Sequence, residues 1–113
     1  MQPTRKTSQH ADTDVFTAIA HPVRRQLLDR LAGAERSVSE LARPFGISRP
    51  AISQHLRILL AAGLVSEQRQ GRERRYQLRA ERLREVRRWL HTYERFWRTH
   101  LEALGTYLEV HDE

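Results

Sequence analysis

Ser48-Arg49-Pro50-Ala51-Ile52-Ser53-Gln54-His55-Leu56-Arg57 reads as a helix shaped to lie in a groove of DNA. Ser48 caps it, because a serine oxygen at this position accepts from orphan N–H groups of the first turn. Pro50 falls in that same turn, where a missing N–H costs little. At 100° per residue, Ile52, Leu56 and Leu59 lie within about 60° of one another and form a buried stripe. Pro50, Ser53, Gln54 and Arg57 face the other way, with no long apolar group among them. Gln, Ser and Arg are side chains that pair with base edges and phosphates. His55 sits about 60° from Ile52, on the edge of the buried stripe, and reads as a packed histidine or a phosphate contact ahead of a base contact.

A second short helix precedes this one. Ser37-Val38-Ser39-Glu40 has the capping-box spacing, and Val38, Leu41, Ala42 and Phe45 follow at helical intervals. Gly46-Ile47 supplies a tight turn, with the glycine available for a left-handed conformation. Two short helices joined by a brief turn containing glycine form the helix-turn-helix pattern, whose second helix enters the major groove. An ordinary helical hairpin shares that pattern, so the surrounding chain decides between them.

Composition narrows the choice. A chain of 113 residues fits one domain with a modest core. Lys+Arg outnumber Asp+Glu by 20 to 14, and residues 69–88 hold nine Arg against three Glu, so nearly the whole net charge of +6 lies there. A clustered basic surface suits a polyanion, although a solvated helix face would also account for it. The absence of Cys excludes disulfides and thiolate metal sites. No apolar run approaches the ~18 residues of a membrane span, so no membrane partner and a cytoplasmic location are expected.

Along the chain, residues 1–11 are polar and expected to be a disordered tail, with residues 12–113 forming the folded domain. A first helix is expected over Asp14–Ala20, with Val15, Phe16 and Ile19 on one face. Pro22 restarts the chain, Val23, Leu27, Leu28 and Leu31 mark a second helix, and Gly33 ends it. After Gly63, Leu64–Gln68 and Arg74–Leu78 flank Gln70-Gly71-Arg72-Glu73 as a β-hairpin. A basic hairpin directly after a recognition helix is a wing, and Gln70, Gly71, Arg72, Arg74 and Arg75 are placed to reach phosphates or the minor groove.

The last helix is expected from about residue 81 to 108. Leu83, Val86, Leu90, Tyr93, Trp97, Leu101, Leu104 and Leu108 repeat at spacings of three and four, widened by Trp89 and Phe96. A helix of ~28 residues runs about 42 Å, longer than so small a domain covers. The surplus apolar surface calls for a partner, and a second copy is the simplest. A homodimer is therefore expected, built on that seam together with Val15, Phe16 and Ile19 of the first helix. The fold class is mainly α with a small β-hairpin: a winged helix-turn-helix of five helices.

This order, with Ala20-His21-Pro22-Val23-Arg24-Arg25-Gln26-Leu27-Leu28, Ser39-Glu40-Leu41-Ala42, Ile47–Leu56 and Leu59-Leu60-Ala61-Ala62-Gly63-Leu64-Val65, resembles the ArsR/SmtB family over about residues 13–105. The resemblance implies a homodimeric winged-helix regulator that represses transcription and releases DNA when an effector binds. Members that sense thiophilic metals use Cys near the helix-turn-helix, and this chain has none. Others use carboxylate and His ligands on the last helix. His100 and His111 have the matching spacing of eleven, but Arg98 replaces the usual acid and repels a cation. They are weak candidates, and neither a metal nor another cofactor is expected.

The expected function is a sequence-specific repressor binding an inverted-repeat operator of double-stranded DNA as a homodimer. A non-specific architectural nucleic-acid binder is the alternative that charge alone would favour. No paired carboxylates, nucleophile motif or Gly-rich phosphate loop points to an enzyme. The aromatic stripe leaves room for a small-molecule or protein effector, whose identity the residues do not specify.

Overall fold

The computed structural model describes residues 14–111, with the side chains of 101 and 106–111 outside that description. The expected tail over residues 1–11 therefore lies outside the described residues. The chain divides into two units, Met1–Leu83 and Arg84–Glu113.

In the first unit, Asp14 caps α1 (Val15–Ala18) by accepting from the Phe16 N–H at 3.2 Å. This helix is a single turn and stops short of the expected Ala20; Ile19 is already its C-cap. His21 caps α2 (Pro22–Gly33), its Nδ1 accepting from the Val23 N–H at 3.1 Å. β1 (Arg36–Ser37) leads directly into α3 (Val38–Ala42). The capping box expected at α3 is formed: Ser37 Oγ accepts from the Glu40 N–H, and a Glu40 carboxylate oxygen accepts from the Ser37 N–H at 2.8 Å. That backbone bond holds the Glu40 carboxyl below its usual range.

α4 (Arg49–Ala61) follows a turn in which Gly46 does not adopt the left-handed conformation allowed for it. The positive φ angles belong instead to Gly63 (77°) and Gly71 (62°) among the described residues. At Gly63 the chain leaves α4 through paired bonds, Leu64 N–H to Leu59 C=O and Gly63 N–H to Leu60 C=O, the Schellman closure that needs a left-handed residue. Gly71 opens the two-residue turn between β2 (Val65–Gln70) and β3 (Glu73–Leu78), where a tight hairpin demands glycine first. A 3₁₀ turn, Glu81–Leu83, ends the unit.

The hairpin is part of a larger sheet than expected. β1 pairs antiparallel with β3, Arg36 opposite Tyr76 and Ser37 opposite Arg75, giving a three-stranded sheet in the order β1-β3-β2. Val65 lies opposite Leu78 and Glu67 opposite Tyr76 on the other side of β3. Leu27, Leu41, Ile52, Leu56, Leu59 and Leu64 are fully buried, and Tyr76 closes the core from the sheet. Each such aliphatic side chain supplies about 1.5–3 kcal/mol of transfer free energy. Val15 is also fully buried, as α1's inward residue in this core. Val15 was expected in a subunit interface, but in one chain it is 0% exposed and offers no free surface there. Phe16 and Ile19 keep part of theirs.

The second unit is α5 (Arg84–His111), which begins three residues later than expected because Glu81–Leu83 forms the 3₁₀ turn. Leu83 is thereby separated from the helix whose seam it was expected to start. Tyr93, Trp97 and Leu104 of that seam are exposed, as are Trp89 and Phe96 beside it; Val86 and Leu90 are half-buried. Trp89 meets Tyr93 edge-on at 5.4 Å. The side chain of Leu101 lies outside the described residues. No described helix is long and apolar enough to cross a membrane.

Candidate nucleic-acid interface

The outer face of α4 is fixed by what its inner face buries. With Ile52, Leu56 and Leu59 fully enclosed, Ser48, Arg49, Pro50, Gln54 and Arg57 are left exposed and Ser53 half-buried. Ser48 Oγ accepts from the Ala51 N–H at 3.3 Å, so the first turn is closed and the arc bearing Arg49 and Ser53 is held in place.

The wing brings a second set of cations beside this arc. Arg49, Pro50 and Ser53 line one open concavity of about 320 Å³ together with Ser39 at the start of α3 and Arg72 and Arg74 of the hairpin. Guanidinium groups and hydroxyls converging on one groove are the donor set for phosphate oxygens. Within the described residues, no hydrogen bond or ion pair engages Arg49, Arg57, Arg69 or Arg72, so their charge is unspent. Gln54 and Arg57 stand on the same helix outside the concavity, and Gln70 and Gly71 are exposed at the hairpin end. A cationic groove beside a polar helix face can grip a phosphate backbone while side chains reach base edges.

Two wing arginines differ from this pattern. Arg74 pairs with Glu67 at 3.2 Å and keeps about half of its exposure. Arg75 is turned inward on three carboxylates: its Nε donates to Glu35 at 2.7 Å, Nη1 to Glu73 at 3.0 Å, and Nη2 lies 3.6 Å from Glu40. The Glu35 bond, opposed in part by burial, raises its pKa further. Arg75, grouped by sequence with the candidate DNA contacts, is thus engaged by the protein's own carboxylates and ties β3 to the start of α3. It also neutralises Glu73, which lines the concavity. Gln77 adds a bond to the same Glu35 carboxylate at 3.1 Å. Across the sheet, Tyr76 donates its hydroxyl to Glu67 at 2.7 Å, and burial pushes its phenol up to about 12.

Three residues escaped the sequence reading. Ser39 was visible only as the interior of a capping box. Arg69 belonged to a basic run without a distinguishing position. Arg24, nine-tenths buried in α2, stood in the Ala20–Leu28 motif without a role of its own; it reaches His55 of α4 at 3.2 Å. His55 is accordingly packed against Arg24 and, at 4.5 Å between rings, His21.

On α5, His100 is exposed, its Nδ1 3.3 Å from the Phe96 carbonyl oxygen, and the side chain of His111 lies outside the described residues. Arg98 is paired with Glu94 at 3.5 Å, and His91 meets the same carboxylate at 2.8 Å. Among the described residues, no group of three or more His, Cys, Asp or Glu is arranged to hold a metal ion.

Comparison with known proteins agrees with this architecture. Residues 19–68 match a helix-turn-helix domain model. The transcriptional repressor SdpR of Bacillus subtilis is 39% identical over 77 residues, covering 68% of this chain and 86% of the relative. The HTH-type transcriptional regulator Rv2034 of Mycobacterium tuberculosis is 41% identical over 97 residues, covering 86% and 85%. An ArsR-like transcriptional regulator from Rhodococcus sp. RHA1 superimposes with a TM-score of 0.66 at 33% identity, over 94% of this chain and 96% of that one. With relatives matched over most of their length, the chain belongs to the ArsR/SmtB family of winged-helix transcription regulators.

Proposed function

We propose that this DNA-binding repressor acts as a homodimer on an inverted-repeat operator, each protomer laying α4 in a major groove and its wing along the adjacent backbone. The carrying observation is the concavity shared by the first turn of α4 and the hairpin, with Arg49 and Arg72 unpaired at its rim. Arg49, Arg72 and the hydroxyls of Ser39 and Ser53 hold phosphates and set the register. Gln54 and Arg57, exposed and outside that groove, read base edges. Ser48 and Pro50 fix the helix start, and Gln70, Gly71 and Arg74 shape the approach of the wing.

Dimerisation through α5 accounts for its exposed aromatic face, since Trp89, Tyr93, Phe96, Trp97 and Leu104 are 43–61% exposed on one chain. Two copies related by a two-fold axis read two half-sites about one or two helical turns apart. Selection from a random duplex library, followed by footprinting, tests this directly. A two-fold symmetric consensus protected on both halves is expected. Equal affinity for scrambled duplex would instead make the chain a non-specific nucleic-acid binder.

A further inference from the structure

The junction of α1, α2 and α4 contains a buried cation that no phosphate contact explains. Arg24 is 9% exposed, and each of its three guanidinium nitrogens is engaged: Nε donates to the Ala18 carbonyl at 2.6 Å, Nη2 to the Thr17 carbonyl at 3.2 Å, and Nη1 points at His55 Nδ1 at 3.2 Å. An arginine has only donors and stays charged, so the His55 nitrogen facing it must be the acceptor. His21 is constrained in the same way, because its Nδ1 accepts from the Val23 N–H at 3.1 Å. The two rings lie 4.5 Å apart, each with its Nδ1 lone pair engaged and its proton on Nε2.

We propose that Arg24 and His55 form a positioning pair that seats α4 for base reading only while His55 is neutral, so that acidification erodes operator preference. A proton on His55 Nδ1 sets N–H against N–H and places a second cation at hydrogen-bond distance from Arg24. His21 and Arg24 are the titratable or charged groups facing His55 from α2. α1 presents only the Thr17 and Ala18 carbonyls, and among the described residues no carboxylate bonds either ring. Burial first, then His21 and Arg24, holds the His55 pKa below its ordinary 6.5. The sign follows: a group depressed in the seated form is satisfied above about 6.5, and the penalty grows as pH falls from there toward the lowered value. His55 lies next to Gln54 and two residues from Arg57, so a shift of its ring is transmitted directly to the reading face.

The inference rests on the DNA reading above and has the opposite sign to a phosphate contact, for which a protonated His55 would tighten binding. The test uses the duplex enriched from a random library at pH 7.5, with a scrambled duplex as reference, on the full chain and on His55→Asn. Asparagine Oδ1 keeps an acceptor near the position of Nδ1 and does not titrate. Between pH 7.5 and 5.5 the wild-type preference for the enriched duplex should fall by more than about threefold, under a ceiling of about tenfold per protomer and so about a hundredfold for a dimer on both half-sites. The preference of His55→Asn should change by less than about threefold. Wild-type preference that holds or rises on acidification overturns the proposal. So does equal acid sensitivity in His55→Asn, or parallel loss of both duplexes. Ring-nitrogen NMR of the free protein supplies an independent arm: His55 should carry its proton on Nε2 and titrate below 6.5, and an Nδ1–H tautomer or a midpoint at or above 6.5 overturns it. Failure to enrich any duplex at pH 7.5 would refute the operator reading, and the NMR arm would then decide this one alone.

Discussion

Arg72 and Arg75, three residues apart on one hairpin, should behave differently when removed. Arg72 is exposed at the wing turn with no ion pair, whereas Arg75 is engaged by Glu35, Glu73 and Glu40. With Arg57 assigned to base edges, three exposed arginines per protomer engaged in no ion pair or hydrogen bond are left for phosphates: Arg49, Arg69 and Arg72. If all three reach phosphates, a dimer engages six, and about 0.9 counterions released per contact gives a log K against log salt slope of about −5.4. Affinity should then fall about 10³-fold between 50 and 200 mM salt. Arg72→Ala removes two contacts per dimer and should bring the slope to about −3.6, on the enriched and scrambled duplexes alike. Arg75→Met removes a charge already balanced by protein carboxylates, so the slope should stay near about −5.4 while the thermal midpoint drops. Fluorescence anisotropy at five or more salt concentrations reads both slopes. A flatter slope for Arg75→Met with an unchanged one for Arg72→Ala would refute the division of the wing into a clasp and a free arginine.

Gln54→Ala should weaken the enriched duplex by about 1–3 kcal/mol while leaving scrambled DNA unaffected, the mark of a lost base contact. An equal loss on both duplexes would demote Gln54 to a backbone contact. Tyr76→Phe removes the hydrogen bond to Glu67 and should lower stability by about 1–2 kcal/mol in urea unfolding with an unchanged m-value. Sedimentation equilibrium should give twice the chain mass of 13.3 kDa, and Trp97→Glu, a change at an exposed position of α5, should shift it to one. A wild-type monomer at micromolar concentration would remove the inverted-repeat geometry. Buffered zinc up to nanomolar free ion should not release the enriched duplex; release that His100→Ala abolishes would restore a metal sensor.

Local rules made much of this protein legible from its residues alone. Ser48 as the cap of α4, the Ser37–Glu40 capping box, the buried spacing of Ile52, Leu56 and Leu59, and Gly71 in the wing turn each depend on neighbours within about seven positions. Such features carry their own geometry, because caps, helical period and turn chemistry are satisfied by nearby backbone. The polar face of α4 follows from the same period, so the helix and its exposed side are legible from the residues alone.

Other features depend on segments that meet only after folding. β1 is two residues long, too short to show an alternating pattern, and exists because β3 offers an open edge some forty residues later. Arg75 looks like any other arginine of a basic run until Glu35 arrives from the far side of that edge. Val15 shares a helical face with Phe16 and Ile19 in sequence, yet the core takes it and leaves them partly exposed. Arg24 and His55 stand 31 residues apart, and their contact fixes which nitrogen of the ring carries the proton. Charge and period are written along the chain, but whether a charge is spent on its own protein or left for DNA is decided by which carboxylates and carbonyls packing brings within about 3 Å of it.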